Sequence, residues 1–548
     1  MTRELNLNDI QSNVTRAYGR FNFPFARYFF LHIEETAAGR AFVDQVREKV
    51  NTAARWTPES RPQVTLNIGF TFLGLLRLAL PTRSLQGMPA EFIDGMKARA
   101  FILGDRDEGK VSADDEGWCA HWDPIWRANR SGQGQGEDVH VWISMNAQAE
   151  PWSDRPVKAL EAQTDWLRER CAALGNKVRI LATNGPNGDQ EYQAANVVFE
   201  TLPDDKKIPT RKEHFGFTDG IGDPVFEGQI PAAEMATRVV GRGKWMDQES
   251  GWVPLATGEF ILGHPDESQE LPPAAVPEDL THNGTFMVYR KLHENLGSFR
   301  QVLDEEAARY GTVMGVEADE AKETLMAKMA GRWPDGVPLS RVPTYEAWKT
   351  FRETKGFCAT EPLKRVEAYE AYFKSIEPSD FRYGDDMEGI KCPLGAHLRR
   401  VNTRDYLDPS NRPDGANPAA TTQLNKRRRI LRRGLPYGPT ALGEGDDTTE
   451  QGVIFMAICA NIFRQFEFVQ QQWIQYGLDF NLGNHTCPML GNHTHHKRYV
   501  IPAAPASGKP PYVMSNLKTF VETRGGDYFF VPSLTALRLI AMGVVDPT

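Results

Sequence analysis

One succession of hydrophobic patterns occurs twice in this chain, and it limits the fold more than any other feature. Ala26 to Ile33 is aromatic and β-branched, Gly39 to Val50 has helical spacing through Ala41, Phe42, Val46 and Val50, and Thr65 to Phe72 is again strand-like. A Gly-, Asp- and Trp-rich excursion then runs to Gly136. Beyond it Asp138 to Met145 alternates, Ala159 to Leu174 is helical and Lys177 to Ala182 is a strand. The order β-α-β-β-α-β with one insertion predicts a split βαβ, ferredoxin-like unit: an antiparallel sheet with helices on one face.

The second half repeats the order. Thr285 to Leu292 reads as a strand, and Glu294 to Tyr310 as a helix through Leu296, Phe299, Leu303, Ala307 and Tyr310. Gly452 to Cys459 is a strand, Asn461 a helix cap, Ile462 to Gln475 a helix and Asp527 to Val531 a closing strand. Two α+β domains follow, expected at 1–225 and 226–548, with helical decoration at about 312–388 in the second. A length of 548 residues agrees, since one domain takes roughly 100 to 200.

Composition excludes several functions. The net charge of −9 leaves no global basic field for a polyanion, so nucleic acid is not an expected partner. No stretch approaches the 18 or so apolar residues that span a bilayer. The first residues, Met1 to Arg16, carry neither an apolar secretion core nor a twin-arginine pair. Six cysteines, with no C-x-x-C pair and no C-x-x-C-H haem-attachment motif, read as reduced thiols. A cytoplasmic protein is the simplest expectation.

Three clusters could carry chemistry. Gly216-Phe217-Thr218-Asp219-Gly220 sets a carboxylate between glycines, which hold it at a fixed angle if the segment is more than a turn. Cys392-Pro-Leu-Gly-Ala-His397-Leu-Arg-Arg places one imidazole after a Pro/Gly stretch, compatible with axial ligation of an iron porphyrin or with a structural histidine. Arg429-Ile-Leu-Arg432-Arg-Gly-Leu-Pro-Tyr-Gly alternates arginine with apolar residues, pointing into a cavity or forming a solvated basic turn.

Taken in this order, the clusters resemble the dye-decolourising peroxidases, a family of haem enzymes. The resemblance runs over nearly the whole chain. Its anchors are Asp9-Ile-Gln-Ser-Asn with Ala26-Arg-Tyr-Phe-Phe, the G-x-x-D-G motif at 216–220, the His397 and Arg432 segments, Phe466-Glu-Phe-Val-Gln, and Arg524-Gly-Gly-Asp-Tyr-Phe-Phe-Val-Pro-Ser. The length is similar to that of the family's longer members. The resemblance implies two ferredoxin-like domains with one non-covalent haem b per chain, lying between sheet and helices. Hydrogen peroxide would be the oxidant, and dyes, phenolic or lignin-like aromatics the one-electron donors.

Carried over by motif, His397 is the proximal iron ligand, Asp219 the distal acid/base and Arg432 the distal arginine. Gly220 and Ile221 would border the haem, and Arg404, seven residues after His397, would bind a propionate. Glu467 shares a helix face with Phe463, Phe466 and Trp473 and would accept the His397 Nδ1 proton; a salt bridge to Arg464 is the alternative. Some family members carry an asparagine two residues beyond the distal arginine, where this chain has Gly434. An Asp, with a reference pKa near 3.9, serves as base at lower pH than a histidine, which predicts an acidic optimum.

Two further expectations stand apart. His485, Cys487, His493, His495 and His496 could hold zinc or copper, although their spacing fits no common structural zinc pattern. A haem carrier, sensor or iron-release protein is the competing function; it would need neither Asp219 nor Arg432. The 15 Tyr and 12 Trp permit a surface radical relay without locating one. The natural reductant, a manganese site and the choice between monomer and homodimer stay open, and nothing in Leu539 to Thr548 supports loading into a protein shell.

Overall fold

A computed structural model describes residues 5–105, 116–130, 138–411, 417–493 and 497–543. In the first half the expected order is present: β1 (Phe25–Ile33), α1 (Thr36–Arg47), β2 (Val64–Phe70), β3 (Val141–Ala147), α2 (Ala159–Ala173) and β4 (Val178–Ile180), followed by β5 (Gln193–Asn196). The second half runs β6 (Thr285–Glu294), α3 (Leu296–Met314), β7 (Leu431–Arg432), β8 (Leu435–Tyr437), β9 (Gly452–Cys459), a helical segment at 463–474, and β10 (Val521–Val531). Between them α4 (Ala318–Ala330), α5 (Tyr345–Lys355) and α6 (Pro362–Lys374) form the helical insertion.

All these strands join one antiparallel sheet, ordered β7-β9-β6-β10-β2-β3-β1-β4, with β8 beside β9 and β5 beside β1. Each half has the ferredoxin-like order, fourth strand, first, third, second, and the two meet edge to edge. The seam is thin: β10 and β2 pair only at Phe530 and Phe70. Side chains reinforce it. Gln11, in the opening motif, donates to Ile68 O and to Pro532 O, both at 2.9 Å, tying β2 to the residue after β10. Aromatics from both halves pack edge to face there, with the Phe30 ring 4.7 Å from Trp126 and 5.1 Å from Tyr289.

Two elements differ from their sequence patterns. The alternation in 138–145 suggests a strand with one wet face, yet every residue of β3 is buried. One of its polar pairs is satisfied internally, by the 2.9 Å bond from Ser144 Oγ to Asn146 Oδ1. The segment 462–475 is helical as expected but wound mainly as π-helix, at Phe463–Glu467 and Val469–Ile474. That winding leaves Phe463 exposed, so the expected apolar face of Phe463, Phe466 and Trp473 is not continuous.

A second hydrophobic core lies outside the sheet, where the insertion packs on α3 and the 463–474 helix; Trp333 and Trp348 stack there at 4.5 Å. Residues 385–411 and the π-helical segment close the space between this core and the second half of the sheet, and the functional clusters face each other there.

Candidate active site

A cavity of about 430 Å³ opens between the two cores, within the range of roughly 300 to 1,000 Å³ usual for small-molecule sites. Asp219, Gly220, Ile221, His397 and Arg432 all line it.

Asp219 reaches the cavity on a loop that folds back on itself. Lys212 and Thr218 pair as an isolated bridge, and the Asp219 N–H donates to Arg211 O at 2.8 Å. Thr218 bonds Pro334 O through both its N–H and its hydroxyl, fastening the loop to the insertion. Gly220 has φ 76°, a left-handed conformation that a residue with a Cβ rarely takes. The Asp219 side chain is 52% exposed, into the cavity.

Arg432 arrives from the opposite element, β7. Neighbouring residues of an extended strand point to opposite faces. Arg432 therefore enters the cavity, while Arg433 turns inward to Asp223 at 3.1 Å and to the carbonyls of Asn13 and Val14. Arg432 Nη1 donates to Asp219 Oδ1 at 2.5 Å, and Asp219 holds the guanidinium above its ordinary pKa. At Gly434 a Cβ would stand 1.6 Å from Ile454 O. The backbone thus admits no side chain at the position where some dye-decolourising peroxidases carry an asparagine.

His397 is the first residue of α7 (His397–Val401). The two arginines after it anchor that helix rather than the cavity. Arg399 pairs with Asp386 at 2.9 Å, and Arg400 donates to the carbonyls of Gly395, Trp473, Tyr476 and His485. Burial, with Arg432 nearby, pushes the His397 imidazole down to about 4, so it is uncharged at neutral pH and keeps a ring nitrogen free for a metal. Its Nδ1 lies 3.4 Å from Cys487 Sγ.

Two expected residues sit elsewhere. Glu467 does not receive the His397 proton, and it does not pair with Arg464. It is fully buried against Arg99, which donates Nε and Nη2 at 2.5 and 2.6 Å, and the Tyr528 hydroxyl donates to it at 2.7 Å. Arg464 turns to Glu259 and Asp266. Arg404 has φ 52°, a sharp turn that sends its guanidinium under the carbonyls of Gly241 and Ser379, outside the cavity wall. Arg99→Ala would leave the buried Glu467 carboxylate with Tyr528 alone. It is expected to cost about 3–5 kcal/mol, the usual effect of removing one partner of a buried pair, read by urea unfolding.

The cavity has other cations. Arg332, Arg428 and Arg429 line it, and among the described residues each hydrogen-bonds only backbone carbonyls. Burial lowers all three, Arg428 and Arg429 to about 10, so they remain charged at neutral pH. Arg429 opens the arginine segment singled out in the sequence; Arg428 before it and Arg332, from the insertion, carried no such signal.

The apolar walls, the uncharged imidazole and these guanidiniums fit a porphyrin dicarboxylate: a metal ligand at one point, cations for propionates at others, and apolar surface between. The cluster around 485–496 is not a metal centre in the described part. His493 is bonded to Cys487 O and Thr486, and no group of three His, Cys, Asp or Glu residues is placed to hold a metal among the described residues. His495 and His496 lie outside them. No disulfide joins the cysteines among the described residues. No helix among the described residues is long and apolar enough to cross a membrane.

Solved structures with this architecture are dye-decolorizing peroxidases. One in complex with 2,6-dimethoxyphenol matches with a TM-score of 0.66 at 20% identity, covering 98% of this chain and all of that one. An ancestral D-type dye-decolorizing peroxidase matches with a TM-score of 0.66 at 23% identity, covering 98% and 99%. The fold of this chain is theirs. No protein-family profile matches, but individual sequences do. A dye-decolorizing peroxidase of Mycena epipterygia is 29% identical over 98% of this chain and 87% of its own length. Peroxidase 2 of Mycetinis scorodonius is 24% identical over 97% and 87%. The dye-decolorizing peroxidase msp1 of the same fungus aligns at 25% identity over 60% of this chain and 56% of its own length. The likeness carried by the six motifs holds, and the chain is a relative of the dye-decolorizing peroxidases.

Proposed function

We propose that this chain is a haem peroxidase that reduces hydrogen peroxide and oxidises dyes or phenolic aromatics one electron at a time. The observation that carries the reading is the meeting, in one apolar cavity, of an uncharged His397 with the Asp219–Arg432 pair. Relatives named as peroxidases, one of them solved with 2,6-dimethoxyphenol, support it.

One haem b per chain would be held without covalent attachment. His397 Nε2 would hold the iron, and Gly220 and Ile221 would border the ring. Arg332, Arg428 and Arg429 replace Arg404 as the cations for its propionates. When bound, haem supplies the iron at which peroxide is cleaved and the one-electron redox chemistry. The 1–225 division brings the acid and 226–548 the imidazole and the guanidinium.

Asp219 would take the proton from one peroxide oxygen and return it to the other, a transfer worth roughly 10² to 10⁴ in rate when the base is positioned. Arg432 stabilises the negative charge that develops as the O–O bond lengthens, and the 2.5 Å contact keeps both groups on one spot. Cys487 is the neighbour of His397 Nδ1, and a thiol is a weaker acceptor than a carboxylate. A cytoplasmic setting, in which the six cysteines stay reduced, belongs to the proposal.

The test is direct. Protein expressed with ample haem should show a Soret band and oxidise a dye only when peroxide is present, with an acidic optimum. A Soret band without peroxide consumption would make it a haem carrier or sensor, and absence of haem would overturn the reading.

A further inference from the structure

Glu213 and Glu294 line the same cavity as Asp219, and neither has a part in the chemistry above. Glu213 sits at the root of the Asp219 loop, where its carboxylate accepts the N–H groups of Phe215 at 2.9 Å and Phe217 at 2.7 Å. Glu294 ends β6 and is 4% exposed; its Oε2 has no hydrogen-bond partner among the described residues. The two carboxyls lie close enough to influence each other, and both feel the charge of Asp219. Two carboxyls so close, out of water and beside a third, do not all ionise near neutral pH, because like charges at that distance repel without solvent to screen them.

We propose that Glu213 and Glu294 share a stored proton and relay it to Asp219, making them the proton supply of the distal site. The proposal rests on the peroxidase reading. One peroxide and two donors give two waters and two donor radicals. The peroxide O–O bond breaks, each donor loses one electron and one O–H proton, and those two protons end in the waters. Protons released where donors are oxidised must therefore reach the oxygen atoms beside Asp219. The pair lines the same cavity and accepts one of them.

Burial, with the charge of Asp219 nearby, pushes Glu213 up to about 7, and burial with the charge of Glu213 beside it holds Glu294 well above the ordinary carboxylate range. The pair thus takes up a proton as the pH falls through about 7 and gives it back above, where a relay at neutral pH must exchange. The other charged or titratable groups facing it are few. Lys212 is held by the carbonyls of Gly216 and Pro334, Asp219 lies at the end of the loop, and Tyr437 on β8 stays protonated because burial raises it.

Glu294→Gln in the haem-loaded enzyme is the test, since the amide keeps the size of the carboxyl but carries no exchangeable acid. With enzyme in excess over peroxide, the first turnover should proceed as in wild type. Steady-state turnover at neutral pH should fall about tenfold, less than the roughly 10²- to 10⁴-fold of a directly acting base, and Glu294→Asp should restore part of it. Steady-state turnover equal to wild type in Glu294→Gln overturns the relay while leaving the peroxidase reading intact. A wild type that consumes no peroxide overturns both. A readout independent of turnover is the infrared C=O band of protonated carboxyls. In wild type it should grow as the pH falls through about 7, and in Glu294→Gln that growth should move to lower pH; a wild-type band flat through this range overturns the stored proton even if the variant fails to fold.

Discussion

His397→Ala is expected to abolish haem binding: the purified variant should lack a Soret band and all peroxide-dependent dye oxidation, with unfolding close to that of the haem-free wild type. Two structural facts set the size of the effect. His397 is the only histidine lining the cavity among the described residues, so no second imidazole replaces it. Its position is fixed by neighbours rather than by itself, since Arg399 and Arg400 anchor α7 through Asp386 and five backbone carbonyls. Removing the ring therefore leaves the helix in place, and the loss is specific to the ligand. The imidazole, held near 4 by burial, should also make haem uptake by the apoprotein fall as the pH drops through about 4, where the ring becomes charged and loses its lone pair for iron. A Soret band of normal intensity in His397→Ala would place the iron ligand elsewhere.

The parts legible in the sequence are those set by local rules. Strands of seven residues or more and the amphipathic α1, α2 and α3 show their periods, and so the first β-α-β-β-α-β run and all but one strand of the second could be read. The two- and three-residue strands β7 and β8 could not, because their extended form is imposed by pairing with β9. Nor could the single sheet, since a one-residue seam leaves no trace in either strand.

The site divides the same way. Asp219, His397 and Arg432 lie in segments punctuated by glycine and proline, where the backbone limits where a side chain can point. Glu467 was misplaced because its segment is read at 3.6 residues per turn and is wound mainly as π-helix, and because its partner Arg99 stands 368 positions away. Arg404 was misplaced because a spacing of seven residues says nothing about the left-handed turn that redirects it. Cys487 was visible only as a member of a cysteine–histidine cluster; its contact with His397 crosses 90 residues of chain.

Asp219→Asn is expected to lower the rate of peroxide consumption by roughly 10²- to 10⁴-fold, the range for a positioned acid/base, while haem content and fold persist. The isostere separates chemistry from structure. Asparagine can still accept a hydrogen bond from Arg432 Nη1, and the loop is held by backbone bonds to Arg211 and Pro334 that the substitution does not touch. The lost ion pair faces the open cavity, with side chains 52% and 40% exposed, where such a pair is worth about 1 kcal/mol or less, so unfolding should hardly change. Arg432→Leu should cost roughly 10²- to 10³-fold through the charge it no longer stabilises. Because the two groups act on one proton and one developing charge, the double variant should be far less impaired than the product of the single losses. Peroxide consumption by Asp219→Asn at the wild-type rate would move the base to another group, and additive losses would separate the roles of the two residues.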